Sequence, residues 1–228
     1  MEIFPSADWQ ALMLSARVAS VATLVALPFG FIAACSLHFG RFRSKPFLEG
    51  LINLPLVLPP VVVGYLLLLL LGENGLGPTL EQLGLSLLFT WQAAVLAAMV
   101  VGFPLLVRSI RIGLEGIDPQ LLTAGSSLGA GRFDLLINVV LPLTRRSLLA
   151  GSSLMFARSL GEFGATIMIA GNIPGLTRTI PLAIYDYSGM PGGESAALWL
   201  CLASILLSLS VLIISERLAH VQKREIPA

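Results

Sequence analysis

The sequence predicts an all-α integral membrane protein with five transmembrane helices and a further short helix on its cytoplasmic side. Three observations carry this. Five apolar stretches each reach about 20 residues, enough to cross a bilayer as a helix. Only 12% of the 228 residues are charged, against about 25% in a soluble domain. Lys and Arg are distributed unevenly between alternate connections. Hydrophobic residues make up 56% of the chain and mean hydropathy is +0.88, too apolar to clothe a water-facing surface.

The first stretch lies between Trp9 and Leu37. The second runs from about Leu51 to Leu71, the third from Leu87 to Val107, the fourth from Leu148 to Ala170 and the fifth from Ser195 to Ser215. Residues 1–228 read as a single transmembrane domain, since the length suits one compact unit. Glu2 and Asp8 stand where a cleaved signal peptide would carry basic residues, so the first stretch is expected to be retained.

Charge sets the orientation. Arg41, Arg43 and Lys45 follow the first span. Arg108, Arg111, Arg132, Arg145 and Arg146 lie in or beside the third connection, and Arg217, Lys223 and Arg224 close the chain. If the spans alternate, these eleven of fourteen basic residues share one side. The second connection holds Glu73 and Glu81 with no basic residue, and the fourth holds only Arg178. The N-terminus is therefore expected outside and the C-terminus in the cytoplasm.

Helix breakers interrupt two spans: Pro55, Pro59, Pro60 and Gly64 in the second, Gly102 and Pro104 in the third. Lipid cannot satisfy the carbonyls that proline frees, so such sites need neighbouring helices or a water-lined cavity. A packing kink and a bend around a pathway are both consistent with them. The Leu66–Leu71 run reads as lipid-facing bulk.

The third connection is too polar to span and too patterned for a linker. Asp118-Pro119 is a helix start, a capping side chain followed by proline at the first helical position. Leu121, Ala124, Gly125 and Leu128 recur on one face, and Gly129 suits the left-handed residue that ends a helix. A second amphipathic stretch, with Phe133, Leu136, Ile137 and Val140, stops at Leu141-Pro142. The small residues around Ala124 favour contact with protein over insertion into lipid.

Arg158 and Glu162 fall inside the fourth span at i and i+4, where one helix face could pair them. An intramembrane charge costs roughly 2.5–3.5 kcal/mol by insertion scales, so the pair is structural or functional rather than incidental. Gly161 and Gly164 flank the glutamate and would let another helix approach, as in a dimer seam. Cys35 and Cys201 lie in apolar runs and read as small hydrophobes. His38 and His220 read as interfacial residues, and no Cys/His spacing suggests a metal site. A net charge of +1 offers no nucleic-acid face.

The third connection also resembles the signature of permease subunits of bacterial ABC importers: Glu-Ala-Ala, three residues, Gly, nine residues, Ile, one residue, Leu-Pro. Here it reads Thr123-Ala124-Gly125, Gly129, Val139, Leu141-Pro142, across a loop of about 118–142. Thr123 stands in place of the glutamate, removing one possible salt bridge. The resemblance implies the type I importer permease (MetI-like) fold. It also implies that Thr123, Ala124, Gly125, Leu128, Gly129, Leu141 and Pro142 couple to an ATPase.

Four further segments resemble molybdate-importer permeases: Leu54–Tyr65, Phe156–Thr166, Asn172–Pro181 and Pro191–Ser195. The resemblance implies a homodimer in the bacterial inner membrane, two cytoplasmic ATPase subunits and a periplasmic molybdate-binding protein. It implies alternating access for the oxyanion, with sulfate or tungstate as the alternative substrate. Pro59, Pro60, Arg158, Gly161, Glu162 and Gly164 would then border the pathway or dimer seam. Arg178 and Glu194 would meet the binding protein.

No cofactor is expected in this chain, with ATP and magnesium on the partner ATPase. Competing functions fit less well. An intramembrane enzyme would need convergent catalytic groups such as His-Glu-x-x-His, and ATP hydrolysis would need Gly-x-x-x-x-Gly-Lys; neither motif occurs. A secondary transporter would show internal repeats and more spans.

Overall fold

The computed structural model describes residues 6–221, with side chains from 7 to 217. Glu2, Lys223, Arg224 and the side chain of His220, used above, lie outside the described residues. Every regular element among those described is helical.

Helix α1 (Ser6–Phe39) and helix α5 (Trp91–Glu115) pack side by side at the centre. Their contact is built from small side chains. Ala19, Ala22, Ala26 and Ala34 of α1 and Ala93, Ala94 and Ala97 of α5 are all fully buried. Without a hydrophobic driving force between helices in lipid, such residues hold a bundle by letting backbones approach closely. Helix α9 (Arg145–Leu160) completes the core against both, and a Cβ on Gly102 of α5 would sit 2.9 Å from Met155 Cγ. The N-terminus of α5 is capped by Thr90, whose Oγ1 accepts from the Ala93 N–H at 3.4 Å.

The second span is not one straight helix. Helix α2 (Lys45–Val57) and helix α3 (Pro60–Leu71) meet at a 116° bend. Local sterics dictate this. A residue before proline is pushed out of the α region, and here Leu58 precedes Pro59, which precedes Pro60. Both adopt extended backbone, φ/ψ −72/141 and −54/135. The leucine run that follows is not uniformly lipid-facing: Leu67 and Leu71 are buried while Leu66, Leu69 and Leu70 are half exposed.

The fourth span is broken too. Helix α9 ends at Leu160 and helix α10 (Gly164–Ile169) begins after a three-residue gap. Among the described residues, three helices are long and apolar enough to cross a membrane, Ala7–Phe39, Trp91–Glu115 and Glu194–Arg217, or four if the bent α2–α3 pair counts as one. The α9–α10 stretch is not among them.

Helix α4 (Gly77–Gln82) lies in the second connection. In the third, helix α6 (Pro119–Ser127) starts and stops where the sequence indicates. Asp118 accepts from the Gln120 N–H at 2.9 Å, Gly129 has φ +89°, and the Ala130 N–H returns to the Gly125 carbonyl at 3.0 Å. The next stretch does not stop at Pro142. Helix α7 (Arg132–Leu135) widens into a π-helical turn at Leu136–Val140 and runs on through helix α8 (Leu141–Leu143). The Leu141 N–H bonds to the Leu136 carbonyl, and the wider turn makes room for the Pro142 ring.

Helix α11 (Ile180–Ser188) packs on α12 (Glu194–Val221). Helix α12 leaves Leu198, Trp199, Leu202, Ile205 and Leu206 largely exposed, the surface expected of a helix against lipid.

Candidate pathway and coupling surfaces

The two breaks meet. Helix α3 packs on α10 with a glycine on each side. A Cβ on Gly64 would lie 2.7 Å from Ala165 Cα, and one on Gly164 would lie 2.9 Å from Pro60 Cβ. Gly164 thus admits the chain's own α3. Gly161 is exposed and stays open, and Pro59 is exposed beside half-buried Pro60.

Glu162 organises this junction. It lies beyond the last residue of α9, not on a continuous helix face. Its Oε2 is 2.9 Å from Arg158 Nη1, and its Oε1 accepts from the Ala165 N–H at 2.8 Å. One carboxylate therefore neutralises the arginine and caps α10. The Glu162 side chain is 2% exposed and that of Arg158 31%, so the cation, not the anion, faces open space. Burying the carboxylate is tolerable because one oxygen meets the Arg158 guanidinium and the other accepts a backbone N–H. Phe163, in the same break, carries the Tyr185 ring at 5.2 Å, which seats α11 over the junction.

Arg178 is committed within the chain. Its Nη2 lies 2.7 Å from Asp186 Oδ2 and its Nε donates to Asn172 Oδ1 at 2.9 Å. Glu194, at the start of α12, is exposed.

Sequence reasoning missed how this end is fastened. The Tyr187 hydroxyl donates to buried Asp8 at 2.6 Å, and Ser15 Oγ accepts from the Ile180 N–H at 2.8 Å. The hydrogen bond to Asp8 and burial raise the Tyr187 phenol above its usual range, with Arg178 opposing. Partners 179 and 165 positions apart leave no local signal. Arg17, also overlooked, lies over the Trp91 ring at 4.0 Å.

The candidate coupling loop presents an apolar, exposed surface. Leu121, Leu128 and Phe133 are 49%, 89% and 74% exposed. The hydroxyls of Thr123, Ser126 and Ser127 donate to carbonyls of their own helix, so α6 presents little free polarity. Thr123 and Ala124 are exposed, whereas a Cβ on Gly125 would lie 2.5 Å from Leu135 Cδ2, so Gly125 seats α6 on α7. Leu141 is exposed and Pro142 half-buried in α8. Among the described residues no group of three or more His, Cys, Asp or Glu could hold a metal.

Comparison with known proteins agrees with this geometry. The chain is 50% identical to the molybdenum transport system permease protein ModB of Escherichia coli (strain K12), over 97% of both chains. It is 48% identical to ModB of Haemophilus influenzae, over 94% of this chain and 95% of that one. It is 40% identical to the putative molybdenum transport system permease protein YvgM of Bacillus subtilis, over 91% and 92%. Among solved structures, the inward-facing MetNI methionine ABC transporter shares the fold with TM-score 0.69 at 16% identity, covering 94% of this chain and 93% of that one. A bacterial alginate ABC transporter gives TM-score 0.73 at 14% identity, covering 92% and 77%. The model for the binding-protein-dependent transport system inner membrane component matches residues 26–224, and this chain belongs to that family.

Proposed function

We propose that this chain is the permease of an ATP-driven importer for molybdate, working as a homodimer with two cytoplasmic ATPase subunits and a periplasmic binding protein. The observation that carries the reading is 50% identity to a molybdenum transport permease along 97% of the chain. As a permease it moves a solute and has no ATPase site of its own; ATP and magnesium belong to the partner.

The chain crosses the inner membrane five times, through α1, the bent α2–α3 pair, α5, the broken α9–α10 pair and α12. The excess of basic residues puts the N-terminus in the periplasm and the C-terminus in the cytoplasm. Exposed Leu121, Leu128 and Phe133 meet the ATPase. Glu194 and exposed Leu176, Tyr185 and Met190 offer a surface to the binding protein, while Arg178 stiffens the loop behind it.

The pathway runs beside the Pro59–Pro60 and Gly161–Glu162 breaks. Arg158 attracts a dianion, and its pairing with Glu162 keeps that attraction weak. An importer needs this balance, because the ion must leave as well as enter. ATP binding closes the ATPases, α6 moves with them, and the helices rock to an outward-facing cavity. Hydrolysis resets the inward-facing state.

Reconstitution with the ATPase and binding protein tests this. Uptake and ATPase stimulation by molybdate, in preference to sulfate, are expected. Equal response to sulfate moves the chain to the sulfate branch, and response to tungstate alone makes it a tungstate permease.

A further inference from the structure

We propose that Arg111 is a positioning residue that transmits movement of the coupling helix to the bent α2–α3 span, through its ion pair with Glu49. The proposal rests on the importer reading above and adds a route by which the ATPase reaches the pathway.

Covalent order comes first. Arg111 lies in the last turn and a half of α5, which ends at Glu115. Only Gly116–Asp118 separate that end from α6. Leu114 is 1% exposed, so the end of α5 is held in the core and displacement of α6 is delivered to it. The other end of the route is α2, the half-span whose 116° bend sets where α3 lies against α10.

The pair connects these two elements. Arg111 Nη1 is in direct contact with Glu49 Oε1 on α2. The pair thus links α2 to α5. Its side chains are 25% and 39% exposed.

Arg111 also has a second acceptor within reach. Glu115 Oε1, on its own helix, lies 3.8 Å from Nη2. A cavity of about 440 Å³ adjoins all three groups, and Asn53 and Arg108 line it too. Two carboxylates on different elements compete for one guanidinium, with space for it to move between them. Held by Glu49, Arg111 adds a polar tie to the apolar packing of Leu48 and Ile52 on the core; held by Glu115, it removes that tie. Such a discrete alternative is what a coupling element needs.

The test measures molybdate transported per ATP hydrolysed in the reconstituted complex. Glu49→Gln is expected to lower that ratio roughly fivefold or more while ATPase activity persists, because hydrolysis no longer drives the span. The charge exchange Glu49→Arg/Arg111→Glu is expected to recover most of the ratio, which a purely packing role would not allow. An unchanged ratio in Glu49→Gln overturns the proposal. If that variant does not assemble, the exchange variant decides: assembled with a low ratio, it overturns the proposal equally. Failure of the wild-type complex to transport molybdate would sink the importer reading instead.

Discussion

The α1–α5–α9 core and the α3–α10 junction are both held together by small residues, yet they tolerate change differently. In the core, a Cβ on Gly102 would press on Met155 Cγ at 2.9 Å, the middle of a flexible side chain. At the junction, a Cβ on Gly64 would meet Ala165 Cα at 2.7 Å and its carbonyl oxygen at 2.9 Å. Side chains can repack; backbone cannot move without moving a helix. The core can therefore absorb local change while the junction is set by main chain on main chain. A junction of broken helices needs that rigidity, since the Arg158–Glu162 pair must stay where it is satisfied.

The largest break in this contrast comes from Glu162→Ala. It removes the cap of α10 and leaves Arg158 without its carboxylate, at a cost of about 3 kcal/mol. Thermal unfolding in detergent should show the loss, accompanied by lost transport. Gly64→Val should cost about 1–3 kcal/mol by overpacking, and Gly102→Ala should fall at the low end of that range. Equal losses for the two would erase the distinction between core and junction.

Asp118→Ala should take about 1 kcal/mol from α6. Hydrogen exchange should rise in α6 alone, with weaker binding of the ATPase and no change at the junction. Tyr187→Phe should have the smallest effect, about 0.5–1.5 kcal/mol from one hydrogen bond. The raised Tyr187 pKa gives its pH dependence. A group whose folded pKa exceeds its unfolded value of 10.0 stabilises below that pH and loses the contribution as pH rises through the folded value. Wild-type and Tyr187→Phe proteins should differ at neutral pH and converge in strong alkali.

Much of this was legible in the residues. Asp118-Pro119 and Gly129 bounded α6 because capping and left-handed backbone are local matters, decided within one turn of chain. The apolar stretches located most of the long apolar helices, the Pro59–Pro60 pair marked the bend between α2 and α3, and Gly164, though not Gly161, marked close helix approach. Other features were misjudged where two local rules competed. Gly102 and Pro104 were read as breaking the third span, but α5 runs through both without interruption from Trp91 to Glu115. The 148–170 stretch was read as continuous, but Glu162 spends its carboxylate on the next helix. Pro142 was taken as a stop, and a π turn accommodated it.

By itself, then, the sequence determined the helical class, the caps of α6, and the Pro59–Pro60 bend of the second span. Each follows from hydropathy, steric limits on proline and glycine, or short-range hydrogen bonding. Only the tertiary structure decided which broken helix faces which. It also decided that Arg178 is tied to Asp186, that Tyr187 reaches Asp8, and that Arg111 bridges to Glu49. Those pairings join residues brought together by helix packing, and packing is a property of the whole bundle, which no local pattern encodes.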